Sequence, residues 1–281
     1  MKKITAISAF TLALTLATPS FALFGYHISK DKSDSKEAKV QVFTPVQVKA
    51  IQKIAHDYIV QNPEVLVQAG QALQKKAMGQ LQQKATKLIH SNAKALFNDP
   101  ANIVVGNPNG KITLVEFYDY QCPHCRDTST AIDAIIKNNP DLRVVFKNLP
   151  IFGKYSQEAS ESSDAAYSLD KSKFMAFHQA LMEAQVPFNS NTVQQVAAKT
   201  GYDYTQLSTA MRSKAVQDNL KANFTLAETL LQPTINMVAT PAIVVGPTVG
   251  ADADNAPVAF IPGQASQQQL QAAINQVKSG M

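Results

Sequence analysis

The chain has only two cysteines, and both lie in the motif Cys122-Pro123-His124-Cys125. Two thiols at this spacing can close into a disulfide and reopen by exchange with another thiol. Pro123 suits the first position of a helix, which places Cys122 at the helix N-terminus. There, unpaired backbone N–H groups and the helix dipole favour the thiolate, and such settings lower a cysteine pKa to roughly 3.5–7.5. The motif therefore predicts thiol–disulfide exchange with Cys122 as the nucleophile.

The remaining motif residues complete this chemistry. His124 adds a hydrogen-bond donor or a positive charge near the sulfur of Cys122. Cys125 lies one helical turn later, beneath Cys122, so it is expected to be the less exposed, resolving thiol. Because a stabilised thiolate stabilises the reduced form, the disulfide becomes a stronger oxidant.

Two other roles for the cysteine pair are weaker. A structural disulfide would close a very small loop, and the stabilisation by a disulfide grows with loop length. A structural zinc site needs about four ligands, but the sequence has no second C-x-x-C and no H-x-x-x-H. No metal and no other cofactor are therefore predicted. The histidines are His27, His56, His90, His124 and His178.

The elements around the motif predict a βαβ unit. Residues 112–118 and 142–146 are rich in β-branched and aromatic residues, which favour strands. The apolar residues Ile132, Ile135 and Ile136 mark a helix between them. A C-x-x-C pair beside such a unit is typical of redox proteins.

The rest of the sheet follows after a long helical interruption. Residues 155–231 are nearly all helical in pattern. Strands are then predicted at Ala242–Gly246 and Pro257–Ile261, and a final helix at Gln267–Val277. The prediction is an α/β fold whose sheet is interrupted by an inserted helical domain.

The N-terminus has the features of an export signal. Lys2 and Lys3 precede an apolar stretch, which ends at small residues near Ala22. This pattern predicts a signal peptide over residues 1–22 and delivery to the bacterial periplasm, where disulfides persist. Residues 23–43 are polar without periodicity and predict a flexible leader.

Residues 44–99 are predicted to be helical. Asn62 is expected to cap a second, long helix that begins at Pro63, and an apolar stripe runs from Val65 to about Phe97. The stripe could pack on the catalytic domain of the same chain, or pair with a second chain. We favour a homodimer, because pairing would bury the stripe along its whole length.

The charge distribution argues against nucleic-acid binding. The formal net charge is +5, but residues 23–100 carry 11 Lys and 6 acidic residues, so the excess lies near the N-terminus. The basic residues are not interleaved with aromatic residues, and there is no Trp. A clustered basic face is the usual sign of a nucleic-acid-binding protein.

The residues Glu116-Phe117-Tyr118 followed by Cys122-Pro123-His124-Cys125 resemble the DsbA family of periplasmic disulfide oxidoreductases. The resemblance covers residues 100–281 and implies a thioredoxin fold with an inserted helical domain. The helical region at 44–99 is similar to dimerisation extensions in DsbC- and DsbG-like isomerases and in DsbA-like proteins of Legionella and Coxiella.

The resemblance also implies roles for residues outside the motif. Glu116 corresponds to a buried acid that assists proton transfer at the resolving cysteine; the alternative is an acid that faces outward from its strand. Lys147, on the next strand, is a candidate charge partner. Thr240-Pro241 corresponds to a loop whose peptide bond is cis, faces the cysteines and pairs with an extended substrate. The family commonly has glycines just before this loop, whereas residues 236–239 are Asn, Met, Val and Ala. Of these, Asn236 can take a left-handed conformation, as glycine does.

The resemblance implies an enzyme that introduces, and also isomerises, disulfides in exported proteins through Cys122 and Cys125. A membrane protein of DsbB or DsbD type would reset the pair. The alternative is a dimeric periplasmic chaperone, a holdase for unfolded clients, in which the thiols are secondary.

Overall fold

A computed structural model describes residues 43–281. The predicted signal peptide and nearly all of the predicted leader lie outside these residues. Within 43–281, no helix combines the length and apolar character needed to cross a membrane. The described chain falls into two units, one ending at Asn62 and the other running from Pro63 to Met281.

The first unit contains one helix, α1 (Pro45–Gln61). Thr44 and Gln47 form a capping box at its start, and Pro45 occupies the first turn. At the other end, the side-chain amide of Asn62 donates to the carbonyl oxygen of Tyr58 at 2.9 Å. The prediction that Asn62 caps the following helix is wrong, because its side chain closes the end of α1 instead.

The second unit begins with α2 (Glu64–Ser91) and the short α3 (Ala93–Phe97). The sequence predicted one helix to about Phe97, but the helix breaks at Asn92, whose side-chain amide donates to the carbonyl oxygen of Leu88 at 2.8 Å. The N-terminal part of α2 is exposed, whereas Ala85 and Ile89 are buried in the second unit.

A five-stranded sheet forms the centre of the second unit, in the order β1-β3-β2-β4-β5. β2 and β3 are parallel, as a βαβ unit requires, and the other neighbours are antiparallel. The sequence did not predict β1, which is short and lies at the edge of the sheet. The strands are β1 (Ile103–Gly106), β2 (Ile112–Tyr118), β3 (Leu142–Asn148), β4 (Ala242–Pro247) and β5 (Ala259–Pro262).

The helices that follow β2 along the chain agree with the predicted pattern. α4 follows β2, five helices lie between β3 and β4, and one follows β5. The thioredoxin-type α/β fold with an inserted helical domain is thereby confirmed. The helices are α4 (Pro123–Asn138), α5 (Lys154–Leu169), α6 (Phe174–Glu183), α7 (Thr192–Thr200), α8 (Tyr204–Met211), α9 (Lys214–Ile235) and α10 (Gln267–Gly280).

The sheet separates two hydrophobic cores. Leu114 of β2 faces the core that includes α4, α10 and most of the inserted helices. Its neighbours Val115 and Phe117 face the other core, which contains the C-terminal part of α2, α3 and the second half of α9. Because side chains alternate along a strand, adjacent residues of β2 and β3 belong to different cores.

Candidate active site

Cys122 is the N-cap residue of α4, and Pro123 occupies the first turn, as the sequence predicted. The backbone N–H groups of Cys125 and Arg126 donate to the carbonyl oxygen of Cys122 at 3.1 and 3.2 Å. Both cysteines are free thiols, so the structure is the reduced form. Cys122 is only 2% exposed, not open as expected at a helix tip, because the loop before β4 lies against it.

Hydrogen bonds lower the pKa of the Cys122 thiol to about 6. The largest contribution is from the thiol of Cys125, followed by Thr240 and the backbone N–H groups of Cys125 and His124, while burial opposes them. Each of these donors stabilises a sulfur anion at the helix N-terminus. The pKa lies in the range that the motif predicted.

The second thiol has the opposite character. Burial raises the pKa of Cys125 far above its usual value, and the neighbouring Cys122 and Glu116 raise it further. Cys125 is fully buried at the base of the first turn of α4. One thiol is therefore disposed to ionise while its neighbour stays protonated and donates a hydrogen bond to it.

Glu116 lies on β2 and is fully buried, and neither of its carboxyl oxygens has a hydrogen-bond partner. Burial raises the pKa of Glu116 well above its usual value, and the nearby Cys122 and Asp133 raise it further. Glu116 is therefore a buried acid whose protonated form is favoured more strongly than that of an exposed carboxyl group.

Lys147 is not the partner of Glu116, and this prediction, made from its place on the next strand, is wrong. The side chains of Glu116 and Phe117 point to opposite faces of the sheet, so Glu116 faces the core that contains the cysteines. Lys147 pairs with Phe117 in the sheet and faces the other core. The Lys147 amine donates instead to the side-chain oxygens of Asn102 at 2.7 Å and Asn223 at 3.1 Å. Burial lowers its pKa to about 8.

The loop before β4 faces Cys122. The Thr240–Pro241 peptide bond is cis, as the resemblance implied. The Cys122 thiol donates to the carbonyl oxygen of Thr240 at 3.3 Å, and the hydroxyl of Thr240 is buried without a partner. Asn236 takes the predicted left-handed conformation, with φ of 60°, at the end of α9.

His124 is exposed, and its Nδ1 lies 2.9 Å from Oε1 of Gln264. Gln264 follows β5, and its amide nitrogen donates to Asp127 at 3.2 Å. No local sequence pattern predicts this contact, because the residues that meet are more than a hundred positions apart.

Asp119, a buried carboxylate just before the motif, was not predicted as a site residue. It accepts hydrogen bonds from the backbone N–H groups of Gln121, Ile151 and Phe152 and from the hydroxyl of Ser156, at 2.7 to 3.1 Å. These contacts join the turn before Cys122 to the loop after β3. An Asp shortly before a C-x-x-C turn was the available signal.

Arg126 joins α4 to the inserted helical domain. Its guanidinium donates to the carbonyl oxygens of Tyr120, Leu181 and Ala184. The last two belong to the C-terminal end of α6, where cations are favoured. The active-site helix is thus attached to the insertion directly after Cys125.

Residues 98–260 match the protein family described as Thioredoxin, which covers more than half of the chain. The chain belongs to the thioredoxin family. A thioredoxin-like oxidoreductase from Silicibacter pomeroyi is 32% identical, with a TM-score of 0.57 over 67% of this chain and 98% of that protein. The thioredoxin-family assignment agrees with the strand order and with the cysteine pair at the start of α4.

Other relatives of this thioredoxin-family chain connect it to disulfide chemistry. "Disulfide bond formation protein D" of Bacillus subtilis is 28% identical over 154 residues, which span 52% of this chain and 68% of that protein. A linker-deletion variant of Proteus mirabilis ScsC is 25% identical, with a TM-score of 0.60 over 85% of this chain and 98% of that protein. The chain is therefore similar to a protein of disulfide bond formation and to ScsC.

The N-terminal extension of this thioredoxin-family chain also has a match. Residues 47–80 match the family described as "Copper resistance protein ScsC N-terminal domain". The matched segment covers most of α1 and the exposed part of α2. The prediction of a DsbA-like member of the thioredoxin superfamily with an N-terminal extension is confirmed.

Proposed function

We propose that this protein introduces disulfide bonds into exported proteins, and isomerises incorrect ones, by exchange at Cys122 and Cys125. The observation that carries the proposal is the opposed character of the two thiols. The pKa of Cys122 is lowered to about 6, whereas that of Cys125 is raised. A pair in this state gives up its disulfide readily, because Cys122 is a stable thiolate after reduction.

Oxidation of a client begins with the pair as a disulfide. A client thiolate attacks the sulfur of Cys122, the Cys122–Cys125 bond breaks, and the electron pair passes to Cys125. The sulfur of Cys125 takes a proton, because its pKa is high, and the buried acid Glu116 is the group proposed to supply it. A mixed disulfide between the client and Cys122 remains.

The second step releases the oxidised client. Its other thiolate attacks the client sulfur of the mixed disulfide, and Cys122 leaves as the thiolate. Two electrons have then passed from the client dithiol to the enzyme pair. A membrane redox protein of DsbB or DsbD type is proposed to reoxidise or reset it. In isomerisation, the Cys122 thiolate attacks an incorrect client disulfide instead.

Thr240 and Pro241 are proposed to bind the client backbone. The carbonyl oxygen of Thr240 accepts from the Cys122 thiol at 3.3 Å, so a strand paired with this loop lies beside the reacting sulfur. Main-chain pairing suits many different clients, because it does not depend on side chains.

The proposed location is the periplasm, reached through the signal peptide at residues 1–22. We further propose that the helical region at 44–99 forms a homodimer. Val46 and Ile54 of α1, and Leu66 and Leu73 of α2, are large apolar side chains exposed in the described chain. Two active sites held on one assembly would raise the effective concentration at a client.

The same exposed apolar side chains favour a second candidate function, a holdase that binds unfolded clients. A Cys122→Ala variant distinguishes the two. If the variant loses insulin reduction and oxidative refolding, the result supports the enzyme. If the variant still protects clients from aggregation as well as the wild type does, and the thiol therefore has no role in that protection, the result supports the holdase. Gln217→Ala, at an exposed amide on α9, is a matched control that should change neither activity.

The balance between oxidase and isomerase is tested by trapping the thiols in cells. Acid quenching followed by alkylation separates the oxidised from the reduced protein. A mostly oxidised pair supports the oxidase, a mostly reduced pair supports the isomerase, and a mixture supports both activities. A pair that never exchanges with client thiols would refute the proposed function.

A further inference from the structure

The imidazole of His124 belongs to a chain of three side chains that returns to its own helix. Nδ1 of His124 lies 2.9 Å from Oε1 of Gln264, and Nε2 of Gln264 donates to Oδ2 of Asp127 at 3.2 Å. His124 and Asp127 are three residues apart on α4 and therefore share one face of it. Gln264 reaches both from the loop between β5 and α10.

The loop that carries Gln264 is attached to the active site on both sides. The N–H of Gly263 donates to the carbonyl oxygen of Pro241 at 2.9 Å. The N–H of Ala265 donates to the hydroxyl of Thr128, which donates to the carbonyl oxygen of His124 at 2.8 Å. Gly263 has a φ of +87°, which favours glycine. Backbone contacts therefore place the Gln264 amide beside the imidazole.

The Gln264 amide satisfies both neighbours in only one orientation. The Asp127 carboxylate can only accept hydrogen bonds, so the amide nitrogen must face Asp127 and the amide oxygen must face His124. An amide oxygen also only accepts, so Nδ1 of His124 must carry a proton.

We propose that Gln264 is a positioning residue for disulfide exchange, because it holds His124 as the Nδ1–H tautomer and fixes this residue in the first turn of α4. The amide dipole directs its negative end at the ring. The backbone N–H of His124 is one of the donors that lower the pKa of Cys122, so a His124 fixed in place favours the thiolate, and hence the reduced pair. The proposal deepens the function proposed above and rests on it.

The first measurement is the tautomer of His124, read from the ¹⁵N chemical shifts of its ring in the exported protein at a pH where the ring is neutral. A His124→Ala variant assigns the signals. We expect the Nδ1–H form in the wild type, and loss of that preference in Gln264→Ala. Gln264→Glu retains an acceptor for Nδ1–H and should restore the tautomer. An Nε2–H ring in the wild type would overturn the proposal.

The second measurement is the equilibrium of the Cys122–Cys125 pair with glutathione. Gln264→Ala should shift the equilibrium constant about threefold toward the enzyme disulfide, which is within the range for one hydrogen bond. Gln271→Ala, which removes an amide paired with Asn139 just after the end of α4, is the matched control and should leave both measurements unchanged. A changed tautomer with an unchanged equilibrium constant would also overturn the proposal.

The two measurements separate this proposal from the function on which it rests. If the wild-type pair does not exchange with glutathione or client thiols, the proposed function fails. The NMR result needs no turnover, so it decides independently whether Gln264 positions the ring.

Discussion

The sulfur of Cys122 lies 3.3 Å from the carbonyl oxygen of Thr240, and the hydroxyl of the same threonine is buried without a partner. The carbonyl oxygen accepts from the neutral thiol. After ionisation, the sulfur becomes an acceptor, and the neighbouring Thr240 hydroxyl can donate a hydrogen bond to it. One residue thus contacts both protonation states of the nucleophile.

Thr240→Val removes this hydroxyl and keeps the shape of the side chain. We expect the pKa of Cys122 to rise by about 0.5 to 1, since one hydrogen bond contributes about 0.5–1.5 kcal/mol and 1.36 kcal/mol corresponds to one pKa unit. The ultraviolet absorbance of the thiolate during a pH titration measures the change. Thr229→Val, at an exposed position on α9, should leave it unaltered. An unchanged pKa in Thr240→Val would show that the hydroxyl does not stabilise the thiolate.

The lowered pKa of Cys122 predicts how alkylation and stability depend on pH. Alkylation of Cys122 should rise through about pH 6, while Cys125 stays unreactive. Because the folded pKa lies below the usual 9.0, the stabilisation from Cys122 is present above pH 9 and is lost as the pH falls through 6. Denaturant unfolding of the reduced protein and of Cys122→Ser between pH 6 and 9 measures it. Parallel curves for the two proteins would contradict the prediction.

Glu116→Gln replaces the buried acid by a neutral amide of the same shape. The folded pKa of Glu116 is raised, so the wild type loses stability as the pH rises above 4.5 and the variant does not. We therefore expect the variant to gain stability relative to the wild type between pH 4.5 and 7. Without the acid, proton transfer to Cys125 becomes slower, and we expect the rate of exchange to fall by about 10²-fold.

Stopped-flow exchange with a model dithiol and unfolding curves at several pH values test Glu116→Gln. Glu228→Gln changes an exposed acid on α9 and should have neither effect. Exchange at the wild-type rate would remove Glu116 from the proton-transfer step.

Lys147→Met tests the separation of the two sheet faces. It leaves the side-chain oxygens of Asn102 and Asn223 without their donor, so we expect a loss of about 1–3 kcal/mol in the free energy of unfolding. The rate of exchange should not change, because Lys147 faces away from the cysteines. Lys221→Met, at an exposed position on α9, is the control. Slower exchange at full stability would mean that Lys147 acts on the thiols.

Ile54→Lys tests the proposed self-association. A charge on the exposed apolar side of α1 should weaken pairing by at least tenfold in the dissociation constant, since burying an unpaired charge is costly. Light scattering over a concentration series measures the mass of the assembly. Gln52→Lys adds the same charge at a polar position of α1 and should preserve it. A wild type that stays monomeric at all concentrations would refute the homodimer.

Local features of the sequence were enough for most of the elements and for the principal chemistry. The boundaries of β2 match the run of β-branched and aromatic residues at 112–118, and Pro123 determines that Cys122 begins α4. Only the tertiary structure decided which part of α2 is exposed and which part is buried. Its apolar stripe divides into an exposed part and a buried part that contains Ala85 and Ile89. Periodicity alone contains no information about which neighbour covers each part.

The sequence by itself determined the thiol pair, the helix start that lowers the pKa of Cys122, and the strands around it, because each depends on residues close together in the chain. Only the tertiary structure decided that Glu116 and Lys147 face opposite sides of the sheet and that Gln264 meets His124. The physical reason is that these relationships depend on register and on loop placement. Both are set by the packing of the whole fold around the sheet.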